Sequence, residues 1–347
     1  MQSMNRLIKI NRTLAKSGRV SATNLDHHHP ILCLERAIGE RYGADKVLWE
    51  TGAFDAQVYP DLPFASSWSE LLEKLLGAGA SGKQVSSTTA ADTVAAAAAG
   101  GSSSNNRKND TNYALKVRTI GAQCYSRKNL LSKMQLACKP SSEGGGDANA
   151  LLFVSGSHPA RSLPFTDSLL QSSFSMLRDA SKMRAQGELP ASLALGAVEN
   201  PINPPERLLK KVQAGAEVIL TQPPFLQSSA ERWFEFAQKN GVSNEIKLLA
   251  GIPMSTSRSN LEFWLRLCGL GGTPEAAMVV SSFPGNGIGG GNKEEYQRLV
   301  RDWNVTFVRR TLSLPGVAGL HVMPLTKQGR DMTVSFLNEG IIPNKLR

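Results

Sequence analysis

The chain has 347 residues, of which 41% are hydrophobic and 20% are charged. At about 150 residues per domain, this length allows two domains or one large α/β barrel, and the apolar fraction excludes a globally disordered chain. No apolar run of about 18 residues occurs, so the sequence predicts neither a membrane-spanning helix nor a membrane partner.

The net charge of +10 is spread along the chain and is not gathered into one basic run. Diffuse charge suits anionic small molecules and solubility, and no basic module with interleaved aromatic residues occurs, so no nucleic-acid partner is predicted. The cysteines form no CxxC pair, which argues against a zinc ribbon and against a disulfide scaffold and indicates a reducing compartment. The four cysteines are Cys33, Cys124, Cys138 and Cys268.

Residues 1–25 form a basic leader that contains serines but no acidic residue. Leu7, Ile10 and Leu14 recur there at helical spacing, which is typical of an organelle transit peptide. An ordinary leader on a cytoplasmic protein fits the same residues, so cytoplasm, mitochondrion and plastid stay open. The adjacent histidines at 27–29 cannot all face one ion from a regular element, so they predict a solvated loop and no metal site.

Residues 26–76 are predicted to be a divergent N-terminal part of the fold. Pro30 opens an apolar stripe that predicts a helix over 31–42, and residues 46–54 predict a strand that ends at a glycine. A further helix is predicted over 68–76. Residues 77–112 consist mainly of Gly, Ala, Ser, Thr and Asn, and such a composition predicts a disordered insertion because it buries too little apolar surface.

Residues 113–347 become regular, with short apolar runs that alternate with amphipathic stretches. Six strand–helix units are predicted, with strands at 114–124, 149–155, 192–198, 217–221, 246–252 and 317–323. This alternation indicates parallel strands with right-handed crossover helices, and therefore either a doubly wound sheet or a (β/α)8 barrel. In a barrel, the carboxyl ends of the strands carry the chemistry.

Several segments resemble the methylenetetrahydrofolate reductase family, in the family's order. The most specific is KKVQAGAEVILTQPPF at 210–225. GAVENP at 196–201 and AGIPMSTSR at 250–258 resemble the branch that is fused to homocysteine methyltransferase. Weaker matches are CYSRKNL, NALLFVSGSHP and GLH, at 124–130, 149–159 and 319–321. The resemblance covers about residues 114–340.

The resemblance implies an α/β fold, a (β/α)8 TIM barrel of the FAD-linked oxidoreductase type. It implies an enzyme of one-carbon metabolism and methionine biosynthesis that passes hydride from NAD(P)H through FAD to a folate substrate, 5,10-methylenetetrahydrofolate. The six matched strands would be the third to eighth, so we expect two strands before residue 114, with 46–54 and 19–25 as candidates. A homo-oligomer stays open.

The resemblance also implies roles for three residues. Gln222, at a predicted strand end, would hydrogen-bond pterin and flavin, since a planar amide offers two donors and an acceptor. Lys211 would bind the flavin phosphates, and Trp264 would stack on substrate or nicotinamide. The alternatives are a Gln bonded to neighbouring backbone, a solvated lysine and a core tryptophan.

Among the departures of the chain from the family, two bear on the candidate site residues. Ser157 replaces the aspartate near flavin N1, and His158 beside it adds a titratable group of opposite charge. The first-strand motif FEFFPP, whose Glu protonates folate N10, is absent, and Glu50 is the candidate acid, which would need a pKa raised by burial. These departures leave open a catalytically degenerate folate-binding or regulatory barrel without flavin, and flavin-free methyl transfer.

Overall fold

The computed structural model describes six ranges of the chain, 29–36, 46–60, 114–122, 126–155, 171–285 and 292–344. Several predictions lie outside the described residues: the leader, the low-complexity insertion, the helix over 68–76, the strand candidate at 19–25, and Ser157 with His158. In the described ranges, no helix is long and apolar enough to cross a membrane.

Eight parallel strands close into a barrel in sequence order, with β8 paired to β1. The strands are β1 Ile31–Glu35, β2 Ala56–Tyr59, β3 Leu115–Gly121, β4 Ala150–Val154, β5 Ala194–Glu199, β6 Val218–Thr221, β7 Lys247–Ile252 and β8 Val317–Val322. The fold is therefore a (β/α)8 barrel, and the prediction of two strands before residue 114 is confirmed.

Ten α-helices are described along the chain. They are α1 Lys46–Glu50, α2 Arg127–Cys138, α3 Ser173–Ala185, α4 Glu206–Gln213, α5 Gln227–Lys239, α6 Val242–Glu245, α7 Arg258–Leu267, α8 Pro274–Ser282, α9 Lys293–Leu312 and α10 Lys327–Glu339. A 3-10 turn, Ser141–Glu143, precedes β4. The connection between β7 and β8 contains three helices, α7 to α9, where a simple barrel has one.

Two predictions for the first part of the chain are wrong. The predicted helix over 31–42 begins as strand β1, because Leu32 and Leu34 pack outwards on the helices while Cys33 packs inside the barrel. The predicted strand over 46–54 is instead helix α1 at Lys46–Glu50, which buries only Leu48. A strand with both faces covered is apolar on both faces, and this pattern is easily mistaken for a helix.

The core has two layers. Small and medium side chains fill the barrel interior: Cys33, Ala56, Val58, Leu152, Leu220 and Leu249. A larger cluster lies between the strands and the helices, with Phe153, Trp233, Phe234 and Phe336 among its fully buried members. This packing fixes the strands and hence the positions of the side chains at their carboxyl ends.

Gly319 allows the barrel to close. A Cβ atom at this position in β8 would lie 2.0 Å from the carbonyl oxygen of Ile31 in β1, a distance no side chain tolerates. The closure between the first and last strands therefore requires glycine here.

Candidate functional site

Glu35 and His321 meet inside the barrel at the carboxyl ends of β1 and β8. Cys33 belongs to the interior cluster and pairs with His321 across the two strands, so both side chains face the interior. Glu35 lies two residues beyond Cys33 and shares its face. The His321 Nε2 atom lies 2.9 Å from Glu35 Oε2, and the side chains are 7% and 25% exposed.

This contact is a candidate acid–base pair. A neutral imidazole or an imidazolium can donate from Nε2 to the carboxylate, and a protonated carboxyl can donate to Nε2. The proton between these two side chains can therefore reside on Glu35 or on His321. The carboxyl-terminal face of a TIM barrel is where active sites lie, so Glu35 and His321 occupy the position expected of catalytic groups.

Cys33 lies next to this pair but is not available as a nucleophile. Burial, followed by the negative charges of Asp55 and Glu35, raises the pKa of the Cys33 thiol far above its ordinary value. The thiolate is the reactive form of cysteine, so this side chain stays an inert part of the interior packing. Within the described ranges, no group of three or more His, Cys, Asp and Glu side chains could hold a metal ion.

Gln222 follows β6 directly, as predicted, and is half-buried at the barrel mouth. Its backbone is held on both sides: its N–H donates to the carbonyl of Glu199 over 2.8 Å, and its carbonyl accepts from the Thr221 hydroxyl over 2.9 Å. Its side-chain Oε1 lies 3.7 Å from the Sγ of Cys268, which caps α7. The backbone is therefore fixed, while the amide is held through α7.

The carboxyl end of α7 is bonded to the mouth of the barrel. Asn200 follows β5, and its Nδ2 donates to the Cys268 carbonyl over 2.7 Å. Trp264 lies one turn before Cys268 on the same face of α7, and its side chain is buried in the core cluster. The buried indole N–H of Trp264 has no hydrogen-bond partner among the described residues.

The loop after β7 is held in an uncommon backbone conformation. Met254 has φ +47°, in the left-handed region, and is buried. Asn304 of α9 donates to the Ser255 carbonyl over 2.7 Å, and the hydroxyls of Thr256 and Thr326 lie 3.1 Å apart. Left-handed conformations of non-glycine residues persist where surrounding contacts over-determine them, and these contacts do so here.

Lys211 does not occupy the position of a phosphate ligand. Its Nζ lies 2.6 Å from the Oε2 of Glu199 and also donates to the Val198 carbonyl, behind β5. Its side chain is 3% exposed, and that of Glu199 is 1% exposed. The expectation that Lys211 reaches the flavin phosphates is therefore not supported, because α4 turns this lysine inward.

The buried pair perturbs both titrating groups. Burial raises the pKa of Glu199, but the Lys211 charge and hydrogen bonds from Asn203 and the Asn200 N–H outweigh it and hold the pKa below its ordinary value. Burial lowers the pKa of Lys211, and the Glu199 charge offsets only part of this effect. The pair holds β5 to α4 and is an electrostatic part of the framework around the mouth.

Glu50 does not lie at the end of a strand, contrary to the prediction. It ends helix α1, its side chain is 62% exposed, and its Oε1 lies 3.5 Å from the Lys46 ammonium. Helix α1 precedes β2 and so ends near the opposite, amino-terminal face of the barrel. Glu50 therefore lies in water at this position, away from the mouth of the barrel.

Sequence reasoning missed Glu35 and His321. The available signals were a five-residue run that ends in an acidic residue after Pro30, and a histidine in the GLH segment at 319–321. Because a helix was predicted over 31–42, no strand end was expected at Glu35. The contact itself joins residues 286 positions apart, and only the pairing of β1 with β8 brings them together.

No protein-family model matches this chain, and no curated relative matches. Solved structures match it at low identity. A 2,3-dimethylmalate lyase of the PEP mutase/isocitrate lyase superfamily is 13% identical, covering 87% of this chain and 95% of its own, with TM-score 0.39. An oxaloacetate acetylhydrolase is 11% identical, covering 92% and 85%, with TM-score 0.38. Tryptophan synthase from M. tuberculosis is 13% identical, covering 73% and 93%, with TM-score 0.34. Likenesses at this level assign neither a family nor an activity.

Proposed function

We propose that this chain is a folate enzyme of the methylenetetrahydrofolate reductase type whose proton donor is Glu35. The observation that supports this proposal is the contact between Glu35 and His321 at the mouth of the barrel. The resemblance implies a glutamate on the first strand as the acid that opens the folate ring. Glu35 is the last residue of β1 and fits that description, whereas Glu50 does not.

The proposed acid step uses the proton shared by Glu35 and His321. The proton moves to N10 of 5,10-methylenetetrahydrofolate, and the bond from N10 to the methylene carbon breaks with its electron pair remaining on N10. The iminium that remains between N5 and the methylene carbon can accept a hydride. His321 lies 2.9 Å from the carboxyl group and can return a proton to it. The His321 side chain is 7% exposed and that of Glu35 is 25% exposed, so water reaches the pair mainly at Glu35.

Gln222 would orient the ring system of the substrate. Its fixed backbone and strand-end position present a planar amide to the mouth of the barrel. A heterocycle with donors and acceptors on one edge suits such an amide. In this proposal Gln222 positions the pterin, and Glu35 and His321 handle the proton.

The described residues fit FAD less well than they fit the folate substrate. FAD would carry hydride from NAD(P)H to the methylene carbon. The one described cation that the resemblance relates to the flavin phosphates, Lys211, is bound to Glu199 and does not fit that role. Ser157 and His158, the other flavin positions, lie outside the described residues.

Because Lys211 is bound to Glu199, a second candidate function is favoured, that of a barrel that binds folate without flavin. Such a protein would keep Gln222 and the Glu35–His321 pair, and it would have lost the phosphate ligand. It would serve as a folate-binding or regulatory partner, or carry out flavin-free chemistry at the same mouth.

The visible absorption spectrum of the purified chain, with FAD titrated in, separates the two candidates. The reductase proposal expects flavin bands that NAD(P)H bleaches under anaerobic conditions. A colourless protein that binds no FAD but binds folate would favour the second candidate. Binding of neither molecule would refute both.

A further inference from the structure

The side-chain amide of Gln222 has one polar contact among the described residues. Its Oε1 faces the Sγ of Cys268 at 3.7 Å. Burial raises the pKa of Cys268 to about 12, so the group stays a thiol and acts as a donor. Sulfur is a poorer acceptor than an amide oxygen, so the S–H···O contact favours the oxygen at this end of the amide, and Nε2 with its two hydrogens faces the other way.

Cys268 itself is held in place. It caps the carboxyl end of α7 with its N–H bonded to the Trp264 carbonyl over 2.9 Å, and its own carbonyl accepts from Asn200 Nδ2 over 2.7 Å. The side chain is buried and cannot swing away into solvent. The thiol is therefore a fixed donor that biases the amide of Gln222 toward one of its two flipped orientations.

A second unused donor lies on the same face of α7. The Trp264 side chain is 4% exposed, and its indole N–H has no acceptor among the described residues. Gln222 Nε2 and Trp264 Nε1 both offer hydrogens, and neither offers a lone pair.

We propose that Cys268 is a positioning residue that turns the Gln222 amide so that its N–H donors face the ligand, and that the site thereby selects heterocycles presenting an acceptor edge. This inference rests on the proposed function for the identity of the heterocycle. A pterin oxo group next to Gln222 Nε2 would accept a hydrogen bond from it. An amino group at the same ring position would place two donors opposite each other and weaken binding. Loss of the thiol would let the amide flip and accept either edge.

The test compares binding of folate and its 4-amino-4-deoxy analogue by the full chain, followed through tryptophan fluorescence. Wild type is expected to bind the 4-oxo compound about tenfold more tightly, as one hydrogen bond of about 1.4 kcal/mol would give. Cys268→Ala should reduce this preference to about threefold or less. Cys268→Ser, which keeps a donor, should restore part of it. Cys138→Ala, a cysteine at the end of α2, is the matched control and should leave the preference unchanged.

An unchanged preference in Cys268→Ala, or an equal loss in Cys138→Ala, would overturn the inference. If neither pterin binds, the proposed function fails, and the inference is tested separately by the side-chain ¹⁵NH₂ signal of Gln222, assigned through its loss in Gln222→Glu. That signal should shift in Cys268→Ala and stay in place in Cys138→Ala. A signal that does not move in Cys268→Ala would overturn the positioning role itself.

Discussion

Replacing Glu35 by Gln removes the proton while keeping the shape of the contact. The introduced amide oxygen can still accept from the His321 Nε2 donor that now lies 2.9 Å from the carboxylate. The structural cost is the charge-assisted part of one hydrogen bond on a side chain that is 25% exposed, about 1 kcal/mol. A positioned general acid contributes about 10²- to 10⁴-fold to the rate. We therefore expect kcat to fall by about that factor while the protein stays folded.

The assay is the rate of 5-methyltetrahydrofolate formation from the methylene compound, with folding checked by thermal unfolding. Glu50→Gln is the matched control, since Glu50 is 62% exposed and bound only to Lys46. Its kcat should equal that of wild type. Full activity in Glu35→Gln, or a comparable loss in Glu50→Gln, would refute the assignment of the acid.

Other substitutions test the framework around the site. Lys211→Met removes the nearest cation from the buried Glu199 carboxylate and leaves only the more distant Arg207 Nε, 3.7 Å from its Oε1. This change should cost about 3 kcal/mol in chemical unfolding, the lower end of what breaking a buried pair costs, whereas FAD affinity should not respond specifically to this lysine. Because the pKa of Glu199 is lowered on folding, its stabilisation is present above the ordinary value of 4.5 and should be lost as the pH of a stability series falls below it. Gly319→Ala should lower the unfolding temperature far more than Gly196→Ala, since the added Cβ would meet backbone at 2.0 Å in one case and 3.3 Å in the other. Cys33 should resist iodoacetamide in the native protein at neutral pH and react after unfolding, as mass spectrometry would show, because burial raises the pKa of its thiol.

The regular part of the barrel was predictable from the sequence. The predicted strands at 149–155, 246–252 and 317–323 correspond to β4, β7 and β8 within one residue at each end. Each is a short apolar run covered on both faces and followed by an amphipathic helix, so local pattern and tertiary environment agree. The position of Gln222 at a strand end followed from the same pattern.

The first two strands were not predictable in this way. The run that forms β1 also fits a helical stripe, and its strand conformation depends on pairing with β8, nearly the whole chain away. Glu35 was not among the predicted site residues because the strand on which it lies was not predicted. For Lys211 the sequence left open a phosphate ligand and a solvated lysine, because whether a helical lysine faces solvent or Glu199 depends on how α4 packs on β5.

The measurement that tests the central claim most directly is product analysis in a single anaerobic incubation. The wild-type chain is mixed with FAD, NADPH and 5,10-methylenetetrahydrofolate. The folates are then separated by chromatography and identified by mass spectrometry. Formation of 5-methyltetrahydrofolate that depends on the protein and is lost in Glu35→Gln is the predicted result. Recovery of the methylene compound unchanged from a folded wild-type chain would contradict it.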